Sequence, residues 1–199
     1  MKARTLQRSD VLSRSEYEKV RADIRRQVAG LREQLGLATG PLCMAHFETR
    51  ETLWFQVQET TYVEQLTAEQ LDREIQAYGT LVPAWGDVVI RLECRATDRR
   101  QKEAIARLTG VEEELALSIG EHWLRGTPDR SPPGRISASR GIGCVHFVRF
   151  RLKRPQAAEF LALSSDVTLR IGHRAYWVTV PLPASLRNVL AAEWGSEQT

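Results

Sequence analysis

The sequence predicts an α+β protein: an antiparallel or mixed sheet with helices packed mainly on one side, and an N-terminal helix as an arm. Three observations carry this. Apolar residues recur at three- and four-residue steps from Tyr17 to Leu35. Two-residue alternation marks 42–48, 87–96 and 144–152. Helical and strand-like stretches are intermixed, with several connections of hairpin length. The 199 residues suit a single domain over 1–199, with 1–40 as the helical arm and 125–143 as a flexible basic loop.

Ser13 or Ser15 can cap the first helix, with Glu16 and Glu18 in its first turn. Tyr17, Val20, Ile24, Val28, Leu31 and Leu35 form its apolar stripe, and Arg21, Arg25, Arg26 and Arg32 occupy the other faces. Gly36 and Gly40-Pro41 stop it. Leu42 to Glu48 reads as a strand. After the polar break Thr49-Arg50-Glu51, Leu53 to about Thr60 reads as its antiparallel partner, with Leu53, Phe55 and Val57 on one face. Thr67 and Gln70 have the spacing of a capping box, opening a helix with Leu71, Ile75 and Tyr78 on its stripe. Asp87 to Ala96 alternates as a strand. Asp98 caps a helix that Gly110 ends, and Leu115 to Leu124 reads as one further strand after an acidic turn, Glu112-Glu113-Glu114.

Residues 125–143 are rich in Gly, Ser and Pro and hold Arg125, Arg130, Arg135 and Arg140 against the single acid Asp129. Such a loop can clamp an anion, but no aromatics interleave the arginines, which argues against single-stranded nucleic acid. Cys144 to Leu152 is a strand with Cys144, His146, Val148 and Phe150 on one face and Val145, Phe147, Arg149 and Arg151 on the other. Pro155 opens a short helix. VTLRI and YWVTV are two strands joined at Gly172-His173-Arg174, and Pro183 starts a last helix ending at Trp194-Gly195.

Composition narrows the function classes. Hydrophobic content of 42% and charged content of 27% are those of an ordinary globular chain. A net charge of +3 is too mild to argue for nucleic acid. No apolar run approaches a membrane span, and the N-terminus lacks the apolar region of a signal peptide, so a cytoplasmic protein is expected. The three cysteines, widely spaced and without a CxxC pair, read as reduced core thiols. No phosphate loop, HExxH or GxSxG motif is present.

The polar residues among these elements suggest a cleft built from Glu48, Arg50, Gln56, Gln58, Glu59, Glu64, His146 and Arg149, with His173 and Tyr176 at the rim. His46, Glu48, Glu59 and His146 would suit iron, manganese or zinc if their strands adjoin. Glu48–Arg50 and Glu59–Arg149 can equally be structural ion pairs. Three functions follow: an accessory protein whose cleft takes a small ligand or partner segment, a metal-dependent enzyme with a His/carboxylate site there, or an anion or nucleic-acid binder acting through the arginine loop 125–143. A homodimer is left open.

Phe47-Glu48-x-Arg50-x-Thr52, Gln56-x-Gln58-Glu59 and Glu64 resemble the signature of the bacterial domain-of-unknown-function family 3501. The likeness continues through Glu74, Ala77-Tyr78, Leu81-x-Pro83, Val145-His146-Phe147-x-Arg149-Phe150 and His173-x-x-Tyr176. Thr60, Tyr62 and Gly79 depart from it. Genes of that family tend to lie beside those for rubrerythrin-like di-iron proteins and iron–sulfur oxidoreductases. The resemblance therefore implies a cytoplasmic accessory of a non-haem-iron redox system, with a non-haem-iron or iron–sulfur protein as partner.

Overall fold

The structure is a computed structural model, which describes residues 5–129, 143–162 and 164–195. Its first helix, α1 (Arg14–Gln34), is capped by Ser13, whose side chain accepts from Glu16 N while Glu16 answers to the Ser13 amide. Strands β1 (Gly36–Ala38) and β2 (Cys43–Glu48) follow. Helices α2 (Arg50–Glu64) and α3 (Ala68–Gly79) come next, the latter capped by Thr67 with Gln70 as expected. Strand β3 (Asp87–Arg95) leads to α4 (Arg99–Ile105), capped by Asp98.

A 3-10 turn (Val111–Glu114) precedes β4 (Leu115–Ile119), β5 (His122–Arg125) and β6 (Thr127–Asp129). The remaining elements are β7 (Gly143–Arg151), α5 (Arg154–Leu161), β8 (Val167–His173), β9 (Tyr176–Pro181) and α6 (Ala184–Gly195).

The strands form two antiparallel sheets, one of order β1-β2-β3-β7-β6 and one of order β5-β4-β8-β9. The main core lies between them. Phe47, Ile90, Val148 and Phe150 come from the first sheet, and Leu117, Leu169 and Ile171 from the second. Phe160, Leu186, Leu190 and Trp194 on α5 and α6 close its end. A smaller core covers the opposite face of the first sheet. There Leu53 and Val57 of α2, Tyr78 and Leu6 pack on Val89 and Phe147. The α+β class holds, and the first sheet is covered on both faces.

Four expectations need correction. The stretch after Glu48 is a helix, α2, and not a partner strand for β2. Thr49 accepts from Thr52 N and its own amide donates to Thr52 Oγ1, which starts a helix at once. Leu53 and Val57 are buried together because they stand four residues apart, a spacing that the five-residue alternation also satisfies. The expected strand 115–124 is a hairpin of β4 and β5, turned at Gly120 with φ +54°. The cysteines are not all reduced thiols: Cys43 and Cys94 are disulfide-bonded and Cys144 is free. The basic loop begins inside structure, with Arg125 in β5 and residues 127–129 in β6 against β7, while Arg130, Arg135 and Arg140 lie outside the described residues.

The turn from β1 to β2 depends on one glycine. Gly40 has φ +84°, and a Cβ there would stand 2.5 Å from the Tyr176 hydroxyl. Gly40→Ala is expected to destabilise by about 1–2 kcal/mol through left-handed strain, which for a chain of this length is a Tm lowered by about 2–8 °C in a thermal melt. An unchanged Tm would mean that the turn moves freely.

Candidate functional site

The helix-covered face of the first sheet carries a half-buried polar cluster. Alternation along β2 sends His46 and Glu48 to this face, and the register sets Arg91 opposite His46, with Glu93 two residues further along β3. Arg91 is held between two carboxylates: its Nε donates to Glu48 Oε1 at 2.8 Å and its Nη1 to Glu93 Oε2 at 2.7 Å. Thr52 Oγ1, at the first turn of α2, donates to the other Glu48 oxygen. Arg95 also binds Glu93, and His46 Nε2 stands 3.6 Å from it. Arg32 of α1 reaches the same region and lies over the Phe55 ring.

Burial and then Arg91 push the His46 imidazole below its ordinary value, so it is neutral at physiological pH. Its Nδ1 is buried without a hydrogen-bond partner among the described residues. Burial alone would push the Glu93 carboxyl up, but Arg91 and Arg95 together hold it below the usual carboxylate range. Arg91 and Glu93, which complete this cluster, were not among the sequence candidates. Their signal was polarity at alternate positions of an otherwise apolar strand.

The expected ion pairs are exchanged for others. Glu48 binds Arg91, and Arg50 binds Asp10 at 2.7 Å. Glu59 accepts from Arg21 Nε and Tyr17 Oη, both at 2.9 Å. Arg149 binds Asp87, and its Nη2 donates to Thr80 O at 2.6 Å. In each case the partner is set by how the elements pack against one another, which local pattern does not carry.

Arg50, Trp54 and Gln58 stand one helical turn apart on α2 and together hold the N-terminal segment. Arg50 takes the Asp10 carboxylate, and Trp54 Nε1 donates to Asp10 O at 2.8 Å. The Gln58 amide accepts from Leu12 N at 2.8 Å and donates to Leu12 O at 3.3 Å. The glutamine in the apolar stretch is thus a clamp on the chain's own backbone. Gln56 Nε2 reaches Thr60 Oγ1 at 3.4 Å, and Glu64 ends α2.

The remaining candidates lie elsewhere. His146 points to the opposite face of the first sheet from His46, with Nδ1 3.4 Å from Glu112 Oε2. His173 accepts from Ala175 N on Nδ1, and its Nε2 meets Thr109 O at 3.2 Å. It braces its own hairpin turn. Tyr176 donates to Thr39 O and accepts from Leu42 N, tying β9 to the turn before β2. His46, Glu48, Glu59 and His146 therefore do not converge, and among the described residues no group of three or more His, Cys, Asp and Glu is placed to hold a metal ion. Arg125 is bound to Glu114 and to Glu113 O.

The outer face of the second sheet bears a different feature. Arg170 of β8 lies between two indoles, 4.2 Å from the Trp123 ring centre and 5.3 Å from that of Trp177. Trp123 is 52% exposed and Trp177 69%. The intervening strand, β4, carries only Ala116 and Ser118 on this face, and Gly172 lies beneath Trp177, which leaves room for the stack.

Two antiparallel sheets, a helical layer clamping the N-terminal segment, and a charged cluster beneath that layer define this class of α+β protein. The model of the family described as protein of unknown function DUF3501 matches residues 5–194, and the chain belongs to that family. It is similar over 95% of its length to 98% of a crystal structure described as a novel protein of unknown function from Burkholderia pseudomallei, with a TM-score of 0.83 and 23% identity. That likeness is one of fold. No curated protein matches the chain. No helix among the described residues is long and apolar enough to cross a membrane.

Proposed function

We propose that this chain is a cytoplasmic accessory protein of a non-haem-iron redox system, and that it docks its redox partner on the outer face of the second sheet. The observation that supports this is the Trp123–Arg170–Trp177 stack. Trp and Arg are the side chains that most often dominate binding at protein interfaces. Two indoles this exposed on one sheet face, stiffened by a shared guanidinium, form a ready-made anchor. The family resemblance supplies the class of partner, a di-iron or iron–sulfur protein, and on this reading the iron belongs to that partner.

The test is calorimetric titration of a purified rubrerythrin-like di-iron protein into this chain. Trp177→Ala is expected to weaken the complex at least about 30-fold, the mark of a binding hot spot, and Arg170→Ala to weaken it similarly, with circular dichroism unchanged. A complex indifferent to both substitutions would refute the docking face. No complex with the wild-type chain would refute the partner class.

A further inference from the structure

The three cysteines, distant in sequence, form one row across three neighbouring strands. Cys43 on β2 is the register partner of Cys94 on β3, and Cys94 is the register partner of Cys144 on β7. Direct opposition in an antiparallel sheet puts all three side chains on the same face, the one turned to the main core. The existing disulfide joins Cys43 and Cys94. Their Cα atoms are 4.1 Å apart, as in a pair whose backbone groups point away from each other. The amide and carbonyl of Cys94 accordingly face β7. Cys94 and Cys144 thus form the wider, hydrogen-bonded kind of pair, with Cα atoms about 5.5 Å apart, close to the commonest disulfide spacing.

We infer that this row is a thiol–disulfide exchange site in which Cys94 is the shared sulfur and Cys144 the attacking thiol. Cys144 lies beyond Cys94 on the side opposite Cys43, where a nucleophile must stand to displace the Cys43 sulfur. Cys144 gives its proton to solvent, and its thiolate attacks Cys94 Sγ. The Cys94–Cys144 bond forms, the Cys43–Cys94 bond breaks, and the Cys43 thiolate takes up a proton. No external oxidant is consumed.

Access differs along the row. Cys94 is fully buried and Cys43 nearly so, whereas Cys144 is only partly buried. Exchange therefore carries the disulfide from a sealed position to one whose outer sulfur a thiol of another molecule can attack. This does not depend on the docking face. Burial and then Glu112 push the Cys144 thiol up, so exchange quickens with pH, by about tenfold per pH unit below that raised value.

The test is disulfide mapping of the wild-type chain equilibrated with oxidised glutathione at neutral and mildly alkaline pH. Acid quenching and alkylation precede digestion and mass spectrometry. Two isomers are expected, Cys43–Cys94 and Cys94–Cys144, the second appearing faster at the higher pH. Cys43→Ser is expected to form Cys94–Cys144, and Cys144→Ser to retain Cys43–Cys94. A wild-type map with Cys43–Cys94 alone at both pH values overturns the inference. So does a folded Cys43→Ser protein with both remaining thiols open to alkylation. Should that variant fail to fold, the wild-type map decides.

Discussion

Arg91→Ala is expected to destabilise the protein by about 3–5 kcal/mol, because it takes the buried counter-ion from two carboxylates in a half-closed layer and leaves Glu93 with the exposed Arg95. The side chains of Glu48 and Glu93 are only 6% and 13% exposed, and Arg91 is their shared counter-ion. Taking one member from a buried ionic group costs more than removing the whole group, since the desolvation of the survivors is no longer offset. Urea denaturation checks the loss. The triple variant Arg91→Met, Glu48→Gln, Glu93→Gln should recover much of it, as no carboxylate is then left buried without its guanidinium and Arg95, 78% exposed, turns to water. A loss for Arg91→Ala of under about 1 kcal/mol would class the cluster with exposed ion pairs and refute the account.

The same cluster sets a pH dependence with a definite sign. His46 and Glu93 both have folded pKa values below their ordinary ones. A group depressed on folding contributes stability that is present above its unfolded pKa and is lost as pH falls through its folded pKa. Stability should therefore decline on acidification in two stages. The first begins near the ordinary histidine value of about 6.5 and the second near the ordinary glutamate value of about 4.3. His46→Gln should remove the first stage from the urea-midpoint profile. A profile with that stage intact would place its origin in another group.

What was legible in the sequence was whatever short-range chemistry determines. Ser13, Thr67 and Asp98 announce their helices because a cap and the amides it satisfies lie within three residues of each other. β3 and β7 show themselves by alternation because each has two unlike faces. The stretch over α2 alternates like a strand through Leu53, Phe55 and Val57, yet Leu53 and Val57, four residues apart, equally fit one helix face over so short a run. The Thr49–Thr52 cap was the signal that could have decided it. The site was less legible still. Arg149 chooses Asp87, 62 positions away, and Cys43 chooses Cys94, 51 positions away, on the strength of strand register. Register is a property of the assembled sheet, and no local pattern encodes it. Gln56, Gln58 and Glu59 read in the sequence as part of a cleft for an external ligand. Gln58 binds the chain's own Leu12.

Glu59→Ala is expected to loosen α1 and the N-terminal segment while both sheets persist, at a cost of about 1–3 kcal/mol. The reason lies in Tyr17, whose side chain is fully buried and whose hydroxyl donates to Glu59 Oε1 at 2.9 Å. Burial, and then that carboxylate, hold the Tyr17 hydroxyl well above its usual range, so it remains a donor and needs an acceptor. Removing the acceptor leaves a buried polar group unsatisfied. Arg21, which also binds Glu59, is wetter and turns to water. Gln58→Ala acts one position away on a different bond, freeing the Leu12 amide and carbonyl. Hydrogen exchange distinguishes the two. Glu59→Ala should speed exchange through α1, Gln58→Ala chiefly around residues 10–13, and neither should touch β3, β7 or β8. Glu59→Gln, which keeps one oxygen for Tyr17, should fall between Glu59→Ala and the wild type. Global unfolding in either alanine variant would mean that the helical layer and the two-sheet core form one cooperative unit. Unaltered exchange in α1 for Glu59→Ala would mean that the Tyr17 hydroxyl finds another acceptor, and that apolar packing alone holds the helix on α2.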